Sequence, residues 1–269
     1  MPPPPSPALS SVADILERLR TLRPLVHCMT NQVVKGFTAN VLLAIGAAPA
    51  MVEHPEEAEE FAAMADALLI NVGTLDEAQM TAMRRAIPAA RRARKPWVLD
   101  PVAVGPLGVR TRFAAEVLAQ KPTVIRGNAS EIMALAGLSG GGRGVDSGVE
   151  SQAARDAAAT LAGRTGGAVL VTGQTDYIHA DGRETAVANG HPLLTRVTGV
   201  GCAMGAINAA CAAVARSPFD ACVATAVLLG IAGERAALQT TRPGSFQTAL
   251  LDALDALDTR AVHAHGKVS

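Results

Sequence analysis

A set of polar side chains directly follows apolar segments that the sequence predicts to be β-strands. Its members are Asp100, Arg126, Asn128, Glu131, Thr172 and Cys202. The carboxyl ends of parallel strands meet at one edge of a sheet, and ligands bind beyond that edge. We therefore expect these side chains to lie close together around a ligand.

The chemistry that these groups favour is phosphoryl transfer. A carboxylate pair, Asp100 and Glu131, can hold Mg²⁺, which keeps several waters and needs few protein ligands. Arg126 can stabilise the transferring phosphoryl group, and Cys202 can take the proton of the acceptor. A structural alternative stays open, in which Asn128 is only a helix cap and Glu131 completes its capping box.

The Thr198–Cys202 junction is the second feature that predicts an anion site. A strand predicted over residues 193–197 runs into an apolar helix predicted over residues 203–215. Gly199 and Gly201 permit close approach of the backbone, and the first N–H groups of a helix attract anions. A helix N-terminus lowers a thiol pKa, so we expect some Cys202 thiolate at neutral pH. The alternative is a tight turn with a small, space-filling cysteine.

The elements that must position these groups form a repeated strand–helix pattern. This predicts an α/β fold with a mostly parallel central sheet and helices on both faces. Segments 177–180 and 185–188 predict an antiparallel edge, and Pro88 predicts a kinked or split helix. We expect Thr74 to cap that helix, with Glu77 completing a capping box. The Gly- and Ser-rich segment 138–149 predicts a mobile surface loop.

Composition narrows the possible partners. The 269 residues carry no net charge, which argues against nucleic-acid binding. The basic cluster 91–95 is interpreted as a solvated helix end, with a phosphate-binding patch as the alternative. No apolar run reaches the ~18 residues that a membrane span needs, so no membrane contact is expected.

The predicted organisation is a single domain over residues 10–258. Residues 1–9 predict a disordered Pro-rich tail, and residues 259–269 predict a frayed end. The four cysteines show neither a C-x-x-C pair nor zinc-ligand spacing. That pattern suits a reducing compartment and predicts a cytoplasmic location.

Several enzyme classes lack their signatures in this chain. There is no G-x-x-x-x-G-K-[ST] phosphate loop, and no G-x-G-x-x-G follows the first predicted strand. The histidines show no typical arrangement with a cysteine for nucleophilic hydrolysis. The phosphoryl-transfer interpretation is therefore the one that the strand-end residues favour.

Several sequence motifs of the chain resemble those of the hydroxyethylthiazole kinases, which have the ribokinase-like fold. The resemblance runs in order over about residues 10–258 and is carried by PLVHCMTN (24–31), FTAN (37–40), NVGTL (71–75), LDPV (99–102), IRGNASEI (125–132), VTG (171–173), VTGVGC (197–202) and PGSF (243–246). Two departures concern loop shape. Position 200 is Val where a smaller residue is usual, and residues 102–105 read VAVG where VGAG is usual.

The resemblance implies an ATP-dependent kinase that phosphorylates the hydroxyethyl group of 4-methyl-5-(2-hydroxyethyl)thiazole in thiamine salvage. It implies ATP as co-substrate, Mg²⁺ as cofactor and a homotrimer with active sites between subunits. Position 202, where most ribokinase-like enzymes have an Asp base, is Cys in this family as in this chain. The implied roles are catalysis by Cys202, thiazole binding by Met51, Gly199, Asn31 and Val33, nucleotide binding by Arg126, Thr172 and Asn128, and Mg²⁺ binding by Asp100 and Glu131.

Three other functions stay open from the sequence. One is a hydroxymethylpyrimidine or pyridoxal kinase of the same fold. Another is a nucleotide-dependent dehydratase of hydrated NAD(P)H, which shares the architecture. The last is a protein that binds nucleotide or thiazole without turnover, although Asp100, Glu131 and Cys202 argue against it.

Overall fold

The computed structural model describes residues 6–138 and 147–269. Eight strands form one sheet in the order β2-β1-β3-β4-β5-β6-β7-β8. The strands are β1 (Leu25–Met29), β2 (Ala48–Ala50), β3 (Ala67–Asn71), β4 (Trp97–Asp100), β5 (Val124–Asn128), β6 (Ala168–Thr172), β7 (Asp176–Ala180) and β8 (Arg183–Val187). The first six strands pair in parallel, and β7 and β8 add an antiparallel edge, as predicted.

Helices cover both faces of the sheet, which confirms the predicted architecture. They are α1 (Pro7–Leu22), α2 (Lys35–Ile45), α3 (Pro55–Met64), α4 (Glu77–Arg92), α5 (Gly108–Leu118), α6 (Ala129–Leu135), α7 (Ser147–Thr165), α8 (Val200–Val214), α9 (Pro218–Gln239), α10 (Pro243–Asp255) and α11 (Thr259–His265). Two apolar clusters form the core. One packs mainly under α1, α2, α8 and α9, and the other under α4, α5, α6 and α7.

Both chain ends differ from the sequence prediction. Helix α1 begins at Pro7 with Ser6 as its cap, so residues 7–9 are helical, whereas residues 1–5 of the predicted tail lie outside the described residues. The predicted frayed end is wrong, because α11 buries Val262 and Val268 pairs with Val187. Long-range packing and β-pairing, which local composition does not reveal, order this end.

Other local features also differ from the sequence prediction. Residues 193–196 lie in a short 3-10 helix, Pro192–Arg196, with Val197 as its C-cap, and not in a strand. Helix α4 is capped by Asp76 with Gln79, and not by Thr74 with Glu77. It contains Pro88 and is not split there. Helix α5 was not expected from the sequence. Residues 147–149 of the predicted loop are helical, and residues 139–146 lie outside the described residues.

Helix α9 shows that the length and composition of an apolar helix do not by themselves identify a membrane span. Contrary to the sequence prediction, it is long and apolar enough to cross a membrane, and 78% of its apolar stretch is buried within the fold. Such burial is typical of the core helix of a globular protein. Among the described residues it is the one helix that meets the length and composition criteria.

Candidate active site

The carboxyl edge of the sheet brings the predicted strand-end residues together. Asp100 ends β4, Arg126 lies in β5, and Thr172 ends β6. Arg126 Nη2 donates a hydrogen bond of 3.0 Å to Thr172 Oγ1, and Arg126 Nη1 lies 3.5 Å from Asp100 Oδ1. Three neighbouring strands therefore place one cation between a carboxylate and a hydroxyl group.

Asp100 is completely buried, and its two oxygens have different surroundings. Oδ2 accepts a 2.7 Å hydrogen bond from Asn71 Nδ2, whereas Oδ1 has no hydrogen-bond partner among the described residues. Burial raises the pKa of this carboxyl to about 6, although the Arg126 charge opposes the shift. Asp100 therefore has one oxygen without a hydrogen bond, and its negative charge is destabilised by burial.

A chain of amide side chains connects Asp100 to Cys202. Asn71 ends β3, and its Oδ1 accepts hydrogen bonds from Asn31 Nδ2 at 3.2 Å and from Gly73 N at 3.0 Å. Asn31 Nδ2 also donates to Cys202 Sγ at 3.3 Å. The thiol is thus held in the same hydrogen-bonded network as the buried carboxylate.

The pKa of Cys202 shifts in the direction opposite to the sequence prediction. Burial raises the thiol pKa above its ordinary value of 9.0, and the Asp100 charge raises it further. Hydrogen bonds from Asn71 and Asn31 and the Arg126 charge lower it only in part. The sequence shows the helix N-terminus, whereas the burial of the thiol and its position beside a carboxylate become visible only in the fold.

Two glycines shape the start of α8, the helix that carries Cys202. Gly199 is the N-cap at φ +94°, and a Cβ there would lie 2.7 Å from Val34 Cγ1. A Cβ on Gly201 would lie 3.3 Å from both terminal nitrogens of Arg126. The missing side chain of Gly201 lets the Arg126 guanidinium lie against the first turn of α8. Its charge and the free backbone N–H groups then face the same space.

Glu131 has a structural role that the sequence analysis kept open as an alternative. Its Oε2 accepts from Asn128 N at 3.0 Å, while Asn128 Oδ1 accepts from Glu131 N at 3.0 Å, which is a complete capping box. Its Oε1 accepts from Ala103 N at 2.9 Å. Glu131 therefore fixes the loop after β4 relative to the start of α6.

The oxygen ligands at this edge fit a magnesium ion that takes few of its ligands from the protein. No group of three or more His, Cys, Asp or Glu side chains capable of holding a metal occurs in ranges 6–138 and 147–269. One free oxygen of Asp100, with the remaining lone pairs of Glu131, suits a cation that takes its other ligands from water and phosphate oxygens.

The remaining predicted residues take different positions. Val33 is 68% exposed, and its N–H donates to Asn31 Oδ1. Met51 follows the edge strand β2 at the same edge of the sheet, where it is half-buried against the core. No described hydrogen bond or ion pair joins Met51 or Val33 to Cys202.

Asn71 and Asp176 are polar groups of this edge to which the sequence analysis assigned no role. Asn71 lies one residue before the end of a strand predicted over residues 67–72, so its position near a strand end could have revealed it. Asp176 starts β7 and accepts a hydrogen bond from Gly173 N, and burial raises its pKa to about 6. No motif singled out Asp176, because only the turn after β6 brings it towards Arg126.

Comparison with known proteins identifies the family. The sequence profile of the hydroxyethylthiazole kinase family matches residues 16–260. The chain belongs to the hydroxyethylthiazole kinase family. It is 54% identical over 263 residues to a hydroxyethylthiazole kinase of Kineococcus radiotolerans, covering 97% of this chain and 94% of that protein.

Solved structures agree with this family membership. A hydroxyethylthiazole kinase from Pyrococcus horikoshii OT3 superposes with a TM-score of 0.89 at 41% identity, covering 97% of this chain and 98% of that one. A ribokinase-like superfamily protein from Enterococcus faecalis has a TM-score of 0.65 at 14% identity, covering 92% and 95% of the two chains. The latter similarity shows the shared fold alone. The ribokinase-like fold predicted from the sequence is thus confirmed.

Glu131→Gln provides a stability prediction for this family member. Gln has one acceptor oxygen where Glu131 has two, so either Asn128 N or Ala103 N loses its acceptor and faces an NH₂ group. We expect a loss of about 1–3 kcal/mol of unfolding free energy, or about 3–9 °C in the thermal midpoint. Calorimetry of Glu131→Gln beside the exposed control Glu17→Gln measures it. Equal midpoints for both variants would contradict the structural role.

Proposed function

We propose that this chain transfers the γ-phosphate of ATP to the hydroxyl of 4-methyl-5-(2-hydroxyethyl)thiazole, as a step of thiamine salvage. Membership of the hydroxyethylthiazole kinase family supports this reaction. The observation that carries it is the convergence of Asp100, Arg126, Cys202 and the start of α8 at one edge of the sheet.

The proposed mechanism begins with binding of the nucleotide phosphates. Arg126, oriented by its hydrogen bond to Thr172, and the N–H groups at the start of α8 attract the γ-phosphate. Asn128 and Thr172 are proposed to lie along the nucleotide. Asp100 and Glu131 would hold Mg²⁺, which neutralises the phosphate charge that develops in the reaction.

The acceptor hydroxyl is proposed to lie beside Cys202. Its oxygen attacks the γ-phosphorus, the bond from phosphorus to the ADP oxygen breaks, and the hydroxyl proton passes to the Cys202 thiolate. Gly199, Asn31, Val33 and Met51 are proposed to surround the thiazole. Because the thiol pKa is raised, the thiolate is scarce at neutral pH, and a loose transition state that needs little base strength suits such a site.

Turnover of competing alcohols tests the substrate assignment. The thiazole alcohol, a hydroxymethylpyrimidine and pyridoxal are each offered with ATP and Mg²⁺, and kcat/KM is measured with and without excess chelator. We expect the thiazole alcohol to have the highest kcat/KM and chelator to abolish its turnover. Faster phosphorylation of pyridoxal or the pyrimidine would contradict the substrate assignment. ATP hydrolysis that is coupled only to hydrated NAD(P)H would point to the dehydratase.

Arg126→Ala is expected to destabilise the transition state by about 1.5–3 kcal/mol, which lowers kcat/KM roughly 10- to 150-fold. The reason is loss of the cation that lies between Asp100 and Thr172. Steady-state kinetics beside the exposed control Arg112→Ala measure the effect. Unchanged kcat and ATP KM in a folded Arg126→Ala protein would refute the proposed role.

We also propose a homotrimer in which each active site lies next to a neighbouring subunit. Two exposed apolar side chains, Val33 at 68% and Leu43 at 54%, lie on the segment that packs beside the edge strand β2. Association there would bring a neighbouring chain towards Met51. A cytoplasmic location is proposed with it, since the four cysteines are free and three of them are buried.

Light scattering is expected to give a mass of three times 27.5 kDa for the active protein. Leu43→Glu places a charge on the proposed contact and should lower that mass, whereas Leu238→Glu, at a position 88% exposed on α9, should not. A monomeric mass for the unchanged, active protein would contradict the assembly.

A further inference from the structure

A basic cavity lies at the edge of the sheet opposite the candidate active site. Its volume is about 380 Å³, and Trp97 and Thr123, at the amino ends of β4 and β5, form part of its wall. The ends of α4 and α8 and the start of α9 complete it. The cations that line it are Arg91, Arg94, Lys95, Lys121 and Arg216.

No carboxylate is among the residues that line this cavity. Lys95 and Arg216 reach neighbouring carboxylates only at 3.5 and 3.9 Å. Arg94 and Lys121 form no ion pair within the part of the chain that the structure describes. Cations gathered in this way repel each other, and a bound anion relieves the repulsion.

The start of α9 adds positive potential to the same cavity. Ser217 and Pro218 line the wall and are the N-cap and first residue of this 22-residue helix. Asp220, in the first turn, offsets part of this potential and accepts a hydrogen bond from Ser217 Oγ. The ends of α4 and α8 each contribute only about half a negative charge. The cations therefore exceed what the helix ends neutralise.

We propose that this cavity binds a small diphosphate or triphosphate anion. Several cations around a concave surface match the several charges of such an anion, and the volume lies in the range of small-molecule sites. A nucleic acid is disfavoured, because the chain has zero net charge and binding to nucleic acid favours a basic protein surface. The sequence analysis interpreted the basic cluster 91–95 as a solvated helix end. In this proposal, Arg91, Arg94 and Lys95 of that cluster bind the anion.

The cavity is separate from the catalytic edge. The proposal that it binds an anion therefore does not depend on the proposed function. Strand β4 runs from Trp97 at the cavity to Asp100 at the catalytic edge, which is about 10 Å. Anion binding at the two edges can therefore be measured independently, with variants at one edge that leave the other intact.

Arg94→Asn with Lys121→Asn is the variant that tests the site. Both residues have a left-handed backbone, with φ of +58° and +54°, and Asn tolerates that conformation better than most residues. The pair removes two charges with little strain. The matched control is Arg164→Gln with Arg260→Gln, two exposed arginines that do not line the cavity.

Titration calorimetry uses sodium pyrophosphate in Mg²⁺-free buffer at low ionic strength. All proteins are full-length chains that also carry Arg126→Gln, which removes the cation of the catalytic edge. We expect one pyrophosphate per chain, at least tenfold weaker binding in the Asn double variant, and less than a twofold change in the control. ADP replaces pyrophosphate in a second series. Equal affinity assigns the site to a bare diphosphate, and tighter binding assigns it to a nucleoside diphosphate.

Three results would overturn the proposal. One is the absence of pyrophosphate and ADP binding to the Arg126→Gln chain. Another is an equal loss of affinity in the Asn double variant and the Gln control. The third is binding of a short RNA more tightly than either phosphate compound. Thermal midpoints of all variants establish that each one is folded.

Discussion

Replacing Asp100 by Asn is expected to lower kcat by about a hundredfold or more while leaving the fold at least as stable at pH 7.5. The carboxylate faces Arg126 and provides the one free oxygen proposed for Mg²⁺. Asn keeps the shape and can still accept the hydrogen bond from Asn71, but it carries no charge. Steady-state kinetics and thermal midpoints of the same preparations measure both effects.

The stability part of this prediction follows from the pKa of Asp100. Burial raises the pKa from 3.8 to about 6 in the folded chain, so folding disfavours the charged form. That penalty is absent below pH 3.8 and develops fully as the pH rises through about 6. The midpoint of Asp100→Asn relative to the unchanged protein should therefore rise between pH 4 and pH 7.5.

Asp181→Asn is the matched control for the Asp100 experiment. It makes the same chemical change at an exposed hairpin turn with a left-handed backbone, at φ +51°. We expect neither kcat nor the pH dependence of the midpoint to change. A kcat for Asp100→Asn within twofold of that of the unchanged protein would contradict the role given to Asp100.

Cys202→Ala is expected to lower kcat by about 10²-fold without changing the KM for ATP. The start of α8 and Arg126 remain to bind phosphate, whereas the proposed proton acceptor is lost. Because the thiol pKa lies above its ordinary value of 9.0, the kcat of the unchanged protein should still rise with pH near 9. The Ala variant should lose this alkaline dependence.

Cys202→Asp distinguishes two roles of Cys202, that of a base and that of a space-filling residue. A carboxylate is ionised at much lower pH, so this variant should stay active and lose the alkaline rise, although repulsion from Asp100 raises its pKa. Cys222→Ala is the control, because that thiol is buried in the core and should affect stability alone. An unfolded, inactive Asp variant beside a fully active Ala variant would mean that Cys202 only packs.

Strand ends were the most informative part of the sequence. Parallel strands converge at their carboxyl ends, so a polar residue after a buried apolar run locates a site without knowledge of strand order. Asp100, Arg126 and Thr172 were found in this way, and the structure joins them within 3.5 Å. Asn71 follows the same rule, because it ends the buried strand β3.

Interactions between distant segments set the limits of the prediction. The raised pKa of Cys202 depends first on burial and then on the charge of Asp100, which is 102 positions away in the chain and becomes a neighbour only through the sheet. The order of the last residues depends on Asn189, which donates to His265 O and accepts from Lys267 N. Residues 193–197 were mistaken for a strand because a short apolar run does not reveal its own period.

The central claim is most directly tested by ³¹P NMR of one reaction mixture that contains ATP, Mg²⁺ and 4-methyl-5-(2-hydroxyethyl)thiazole. The account predicts a phosphate monoester of the thiazole alcohol in an amount equal to the ADP formed, with almost none from Asp100→Asn. Release of inorganic phosphate without the monoester, or undiminished monoester from Asp100→Asn, would contradict it.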